Sequence, residues 1–207
     1  MPKTVEPRQP TTEEEIRAYT IGELKPQNAP ILIADYDPAW PSWFNREAAQ
    51  VRQALGDRVQ LLEHAGSTSV AGLAAKPVID MVLAVADSSD ETKYVPDLEQ
   101  AGYVLRIREP HWFEHRVFNA AATKVNLHVF TAGCPEIDQM LLFRDWLRSH
   151  PDDRDLYATT KRRMARQEWK FVQHYADAKT DIVHQILARA RAANQPAPDH
   201  RDETGEE

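Results

Sequence analysis

The sequence predicts a single α+β domain, in which a mostly antiparallel sheet precedes a helical C-terminal region. Short apolar segments typical of strands are concentrated between residues 59 and 130. The last three follow closely on one another, which favours antiparallel pairing, because a parallel crossover needs a longer connection. After residue 136, apolar residues recur at helical spacing. The length of 207 residues suits one domain rather than two.

The N-terminal part of the chain predicts a tail, a short helix, a strand and a longer helix. Residues 1–12 are polar and rich in proline, which indicates a mobile tail. Thr12 precedes three glutamates, the pattern of a helix start, and this helix is expected to end near Gly22. Residues 31–34 read as a strand, and residues 42–55 as a helix. Its buried stripe would consist of Phe44, Ala48, Val51 and Leu55, with Trp40 and Trp43 as hydrophobic anchors.

The remaining elements and the domain boundaries follow from the same patterns. The predicted strands are 59–63, 78–85, 103–107, 116–118 and 125–130, and the predicted helices are 93–101, 137–149, 152–176 and 177–193. We expect the tail and short helix to occupy residues 1–28 and the domain residues 29–193, with 136–193 as its helical part and 194–207 as a disordered tail.

Charge and composition exclude several classes of function. The net charge of −7 argues against broad nucleic-acid binding, which needs a basic surface, although a local basic pocket stays open. No apolar run approaches the roughly 18 residues that cross a bilayer, and the first 30 residues lack a secretory signal pattern. We therefore predict a cytoplasmic protein without a membrane partner. Cys134 is the single cysteine, so an internal disulfide and a cysteine-based zinc site are both excluded.

Residues 61–85 contain the chemistry on which the functional prediction depends. Gly66 allows a phosphate to approach the main chain closely, and Ser67, Thr68 and Ser69 follow it with hydroxyl donors. Lys76 adds a positive charge, and Asp80 adds a hard oxygen ligand suited to magnesium. Taken alone, these residues are also compatible with an ordinary Gly-Ser turn beside a salt bridge.

Several segments resemble one known family. They read EHAGSTSVAGLAAKPVIDMVLAV, GYVLRIREP, HRVF, NLHVFTAGCPEIDQMLLFRDWLRSHPDDRDLY and YADAKTDIV. They resemble the GrpB family of the nucleotidyltransferase superfamily, over roughly residues 20 to 193. The resemblance implies a mixed, mostly antiparallel sheet flanked by helices, with a C-terminal helical bundle. It also implies that Gly66 and Ser67 bind a nucleotide triphosphate and that Asp80 binds a divalent metal.

One departure from the superfamily pattern concerns the metal site. Its classical members carry two carboxylates two residues apart on this strand, and the second position here is Val82. A third carboxylate is usual on a later strand, where this chain offers Asn126 and His128 on one face. His128 is therefore a candidate metal ligand or general base, and an edge histidine facing solvent is the alternative.

Further residues are assigned to the walls of the site. Arg116 is the candidate phosphate clamp at the reacting centre, with His64 and His115 beside it. Tyr175 and Lys179 share a helix face and are candidates to close the nucleotide pocket, a structural role being the alternative. In contrast, the Arg144–Asp145 pair reads as exposed. The basic cluster Lys161, Arg162, Arg163 and Arg166 reads as a solvated helix face.

These observations predict an ATP- and Mg²⁺-dependent transferase or ligase that acts on a small molecule. Gly66, Ser67, Thr68, Ser69, Lys76, Tyr175 and Lys179 would bind the nucleotide, Asp80 and His128 the metal, and Asp80, His128 and Arg116 would serve catalysis. The alternative is a non-catalytic nucleotide- or metabolite-binding module with a degenerate metal site. Nucleic-acid modification ranks last, and the sequence does not predict the oligomeric state.

Overall fold

Five strands form one mixed sheet in this computed structural model, which describes residues 11–27, 29–120 and 122–194. The strands are β1 (Leu61–Ala65), β2 (Ile79–Val85), β3 (Tyr103–Glu109), β4 (His115–Ala120) and β5 (Val125–Thr131). The helices are α1 (Glu13–Tyr19), α2 (Trp40–Leu55), α3 (Val95–Gln100), α4 (Pro135–Ser149), α5 (Pro151–Ala165), α6 (Val172–Asp177) and α7 (Thr180–Ala193). The predicted α+β class is confirmed. The predicted tails, up to residue 10 and from residue 195, lie outside the described residues.

The order of the strands explains why distant polar residues meet. The sheet has the order β1-β2-β5-β4-β3, and β2 and β5 are its one parallel pair. The pairing of β3, β4 and β5 is antiparallel, as predicted. In the parallel pair, Asp80 lies opposite Asn126, and Val82 lies opposite His128. Because side chains at paired positions share a face, Asp80, Asn126 and His128 project from the same side of the sheet.

The opposite side of the sheet packs on the main hydrophobic core. There α2 and α3 cover the strands, and the core includes Trp40, Val51, Leu83, Phe118 and Leu127. The predicted stripe of α2 is confirmed, since Ala48, Val51 and Leu55 are buried and Phe44 packs against the same cluster. Trp40 is buried as an anchor, whereas Trp43 is 37% exposed.

Helices cover only part of the side that carries Asp80. Helix α4 packs over Val82 and Phe130 through its residue Ile137. A second cluster joins α4, α5 and α7 to the turn between β1 and β2, through Val70, Leu73, Leu147, Tyr157, Ile182 and Ile186. The C-terminal helices therefore stand beside the turn, and residues of α5 and α6 line the same cavity as Asp80. Among the described residues, none of the helices is both long and apolar enough to span a lipid bilayer.

The N-terminal helix forms where its capping residues predict it. The Thr12 hydroxyl accepts a hydrogen bond from the Glu15 amide, and the Glu15 carboxylate accepts one from the Thr12 amide at 2.8 Å. This reciprocal pair satisfies amide groups that the first helical turn leaves open. The helix ends at Tyr19, three residues before the predicted stop at Gly22.

Two predicted elements are wrong, and tertiary packing explains both. Residues 31–34 form a single bridge, Ala34 to Ala75, rather than a strand. The helix predicted over 152–176 is interrupted between Ala165 and Val172. In the interruption, Phe171 is 3% exposed, and Trp169 packs on Ile31 and Tyr175. Burial of these aromatic rings outweighs the local helical pattern.

Candidate functional site

A cavity of about 550 Å³ lies on the side of the sheet that carries Asp80. Its size falls within the range of small-molecule sites. It is lined by eight of the residues that the sequence assigned to the site, namely Gly66, Ser67, Thr68, Lys76, Asp80, His128, Tyr175 and Lys179. The fold thus brings together residues that are more than 110 positions apart in the chain.

The turn after β1 touches the carboxylate on β2. Gly66 has φ +63°, and a Cβ atom placed on it would lie 2.3 Å from Asp80 Oδ2. Glycine is therefore required both by the backbone angle and by the close approach of the carboxylate. Ser67, Thr68 and Ser69 then form one turn of 3₁₀ helix. The turn therefore packs directly against Asp80.

Gly66→Ala is expected to destabilise the protein by about 2–3 kcal/mol, because alanine is strained at this backbone angle and its methyl group would displace Asp80. Thermal unfolding measures the loss. Gly72→Ala is the matched control, since Gly72 also has a positive φ of +77° but has no atom within 4 Å of the added methyl. Equal destabilisation by the two substitutions would contradict a specific contact between the turn and Asp80.

Asp80 is held in its ionised form by its neighbours. Asn126 Nδ2 donates a hydrogen bond to Asp80 Oδ1 at 2.8 Å, and His128 Nε2 lies 3.9 Å from the same oxygen. Burial by itself would raise the pKa of Asp80, but the neighbouring His128, the bond from Asn126 and the charge of Lys179 together lower it. Asp80 therefore presents a negative charge to the cavity at neutral pH.

Lys161 is a site residue that the sequence interpretation missed. It was assigned to a solvated helix face, and that assignment is wrong, because its side chain is 2% exposed and lines the cavity. Its Nζ donates hydrogen bonds to Ser67 Oγ at 2.8 Å and to the Ala74 carbonyl at 2.6 Å. Burial and the charge of Lys179 lower its pKa to about 6.

A signal for this burial exists in the sequence. Tyr157, Lys161 and Ala165 are spaced four residues apart and share one face of α5, and all three are buried. Arg162 and Arg163, which follow it in sequence, lie on other faces of the helix and are exposed. Helical spacing was therefore a better guide to burial than the local density of charge.

The other lysines of the cavity surround the same carboxylate. Lys179 Nζ lies 4.7 Å from the centre of the Tyr175 ring, and burial lowers its pKa although Asp80 acts in the opposite direction. Burial lowers the pKa of Lys76 in the same way. Together with Lys25 and Lys161, the described lining contains four lysines. Within a protein of net charge −7, this cavity gathers lysine side chains around one carboxylate.

Three assigned residues contact other parts of the protein instead of lining the cavity. Arg116 lies on the opposite side of the sheet, where its guanidinium binds Glu91 at 2.6 Å and Glu114 at 3.2 Å. Ser69 donates its hydroxyl hydrogen bond to the Gly66 carbonyl. His64 is buried on the Phe44 ring, and burial lowers its pKa to about 4. They support the fold, and Arg116 is not part of the site, because strand alternation points it the other way.

Arg144 connects α4 to the strand before the turn. The sequence interpretation as an exposed pair with Asp145 is wrong, since Arg144 is 9% exposed. It binds Asp145 and also reaches Glu63 at 2.9 Å and the His64 carbonyl at 3.0 Å. This contact fixes α4 relative to the start of the turn.

The side chains around Asp80 offer too few oxygen ligands to hold a magnesium ion by themselves, so they suit an ion that arrives bound to phosphate. Within the part of the chain that the structure describes, no three His, Cys, Asp or Glu side chains are grouped to hold a metal. Val82, at the second carboxylate position, is fully buried beneath α4. Magnesium prefers oxygen ligands, so the nitrogen of His128 is a poor partner and Asp80 is the one hard ligand of this set.

The N-terminal segment closes one end of the cavity. Thr20, Glu23, Leu24 and Lys25 line it together with Arg106 of β3. The Ile21 amide donates to the Arg106 carbonyl at 2.8 Å, and Arg106 Nη2 donates to the Glu23 carbonyl at 3.0 Å. This wall carries charges of both signs, in contrast to the lysine-rich end near Ser67.

Comparison with known proteins agrees with this architecture. The family model described as GrpB protein matches residues 30–189. A UPF0157 protein of Halalkalibacterium halodurans is 60% identical over 183 residues, which cover 88% of this chain and 94% of that protein. The crystal structure of the conserved protein GrpB from Enterococcus faecalis has a TM-score of 0.69 and 28% identity, covering 78% of this chain and 98% of that one.

A more distant relative is larger than this chain. It is a dephospho-CoA kinase of Mycolicibacterium paratuberculosis, 28% identical over 201 residues, which cover 84% of this chain and 49% of the kinase. The resemblance inferred from the sequence is confirmed by the family match and by the solved structure. The chain therefore belongs to the GrpB family.

Proposed function

We propose that this protein is a nucleotide- and Mg²⁺-dependent transferase or ligase of the nucleotidyltransferase superfamily that acts on a small-molecule acceptor. The observation that carries the proposal is the arrangement of Ser67, Asp80 and Lys161 around one cavity. The Ser67 hydroxyl and Lys161 suit the phosphates of a nucleotide, and the Asp80 carboxylate suits the magnesium ion that accompanies them.

The roles of the residues follow from their chemistry. Lys76, Lys161 and Lys179 would balance the charge of the phosphates, and Ser67 would donate to a phosphate oxygen. Asp80 would hold magnesium, which supplies charge neutralisation at the phosphate that reacts. The acceptor would enter at the end formed by Leu24 and Arg106, because the charge there is mixed rather than uniformly positive.

The name of one relative is consistent with a ligand that contains phosphate. The name dephospho-CoA kinase denotes phosphate transfer to dephospho-CoA, and this chain matches about half of that protein. This chain lacks the sequence G-x-x-x-x-G-K-[ST], which cradles phosphates in one large class of kinases. We therefore propose phosphate recognition by the turn at Gly66 and not a phosphate-binding loop of that class.

Val82 favours a second candidate, a binding module without catalysis. A buried valine at this position leaves Asp80 without the neighbouring carboxylate that a pair of metal ions needs. Such a module would keep the turn and the lysines, which bind anions, but would release neither pyrophosphate nor phosphate. The two candidates therefore share a ligand and differ in turnover.

Thermal unfolding with ATP tests the feature that both candidates share. At about 100 times the dissociation constant a ligand stabilises by about 2.7 kcal/mol, which corresponds to roughly 5–10 °C for a domain of this size. We expect such a shift with ATP and a larger one with ATP and Mg²⁺. Absence of any shift at millimolar ATP would contradict nucleotide binding. Incubation with labelled ATP and a metabolite pool then separates the candidates, since release of pyrophosphate or phosphate supports the transferase.

A further inference from the structure

A buried chain of three side chains leads to the cavity from behind His128. Glu109 Oε2 lies 2.7 Å from His115 Nδ1, and His115 Nε2 lies 3.0 Å from His128 Nδ1. The remaining nitrogen, His128 Nε2, is the one beside Asp80. Glu109 and His115 do not line the cavity, so they can act on a ligand only through His128.

The surrounding structure fixes the position of this chain of hydrogen bonds. Glu109 and His115 are paired positions of β3 and β4, and both are buried. The His115 ring stacks on Phe130 at 4.5 Å and on His128 at 5.2 Å. In addition, Phe113 and Glu114 of the connecting turn adopt positive φ angles of 56° and 52°, which are unusual for residues other than glycine. Strain of this kind is maintained where the surrounding structure demands it and is common near functional sites.

With Glu109 taken as ionised and His115 as neutral, the order of donors and acceptors determines which nitrogen of His128 carries a proton. An ionised carboxylate accepts only, so His115 Nδ1 is the donor to Glu109. The Nε2 atom of a neutral His115 then accepts, which makes His128 Nδ1 the donor. Neutral His128 is left with a lone pair on Nε2. The distance between that atom and Asp80 Oδ1 is 3.9 Å.

We infer that Glu109 and His115 are positioning residues that hold His128 in the tautomer with an unprotonated Nε2, so that His128 serves as the general base for an acceptor with an O–H or N–H group. The catalytic role rests on the proposed function, whereas the tautomer does not. In the transfer step, the acceptor atom forms a bond to phosphorus while the bond from phosphorus to the leaving pyrophosphate or nucleoside diphosphate breaks. The proton of the acceptor passes to His128 Nε2.

Nitrogen NMR of the isotope-labelled histidine rings tests the tautomer directly. In the unmodified protein at about pH 8, we expect His128 Nε2 to show the signature of an unprotonated nitrogen. Glu109→Gln is expected to move His128 towards the tautomer protonated at Nε2, because an amide no longer requires a donor at His115 Nδ1. His128 protonated at Nε2 in the unmodified protein, or an unchanged tautomer in Glu109→Gln, would overturn the inference.

A second variant and a control separate positioning from folding. The double substitution Glu109→Gln with His115→Phe keeps an aromatic ring against Phe130 and removes the acceptor for His128 Nδ1. We expect it to shift the tautomer as well, with a cooperative unfolding transition retained. His111→Phe is the control, since His111 is exposed in the same connection between strands. An effect of His111→Phe equal to that of the double substitution would overturn the specific role of His115.

The kinetic test requires the proposed function, whereas the NMR test of the tautomer does not. If nucleotide transfer is measured, Glu109→Gln should lower kcat by roughly 10²-fold, with little change in the KM for the nucleotide. A parallel rise in KM would contradict a role confined to proton transfer. If the protein binds no nucleotide, the proposed transferase is wrong, and the NMR result still decides the tautomer.

Discussion

Lys161→Met is expected to weaken the binding of ATP by at least about tenfold while preserving or raising the stability of the free protein. The substitution removes a buried amine and two hydrogen bonds, to Ser67 and to the Ala74 carbonyl. A bound anion favours the charged form of this amine, and the charge-assisted hydrogen bond that results contributes about 1.5–3 kcal/mol, which accounts for the loss of affinity. Methionine fills similar volume beside Tyr157 without the desolvation that the lysine carries.

The lowered pKa of Lys161 also predicts how the free energy of unfolding changes with pH. The pKa of Lys161 is about 6 in the folded protein against an ordinary value of 10.5. Between these two values the unfolded chain binds more protons than the folded protein, so the free energy of unfolding rises with pH. Lys161→Met should reduce that slope. It should not abolish it, because burial also lowers the pKa values of Lys76 and Lys179.

Chemical unfolding at several pH values, together with calorimetric titration of ATP, measures both effects. Arg162→Met is the matched control, since Arg162 follows Lys161 directly but is exposed in an ion pair with Asp35. A loss of stability in Lys161→Met without a loss of ATP affinity would make Lys161 a structural lysine. That result would contradict its role in anion binding.

Asp80→Asn is expected to abolish the effect of Mg²⁺ on ATP affinity and to lower any turnover by about 10²- to 10³-fold. The replacement is nearly isosteric and can still accept the hydrogen bond from Asn126, so the fold should persist. It removes the carboxylate beside the turn at Gly66 and with it the hard ligand proposed for magnesium. Affinity for ATP without Mg²⁺ should stay equal or increase, because a negative charge leaves the site.

Titration of ATP with and without Mg²⁺ checks this prediction even before an acceptor is known. Asp155→Asn is the control, because Asp155 is 78% exposed and does not line the cavity. An unchanged response to Mg²⁺ in Asp80→Asn would contradict the assignment of the metal to Asp80. Persistence of turnover in the same variant would contradict the transferase.

Much of the fold follows from local sequence patterns. Alternation along β5 placed Asn126 and His128 on one face, and the structure directs both towards the cavity. Thr12 followed by three glutamates likewise located the start of α1. Such patterns succeed because the period of side chains along a strand or helix is a local property of the backbone. They fail at residues 31–34 and 166–171, where contacts distant in sequence decide the conformation.

The composition of the site was less predictable than its location. The sequence by itself determined the turn at Gly66, the carboxylate of Asp80 and the family, because these are contiguous features of the chain. Only the tertiary structure decided that Lys161 lies in the cavity, that Arg116 lies outside it, and that Glu109 reaches His128 through His115. The reason is physical: the burial of a charge and the order of a hydrogen-bond chain depend on how separate elements pack, which no local period specifies.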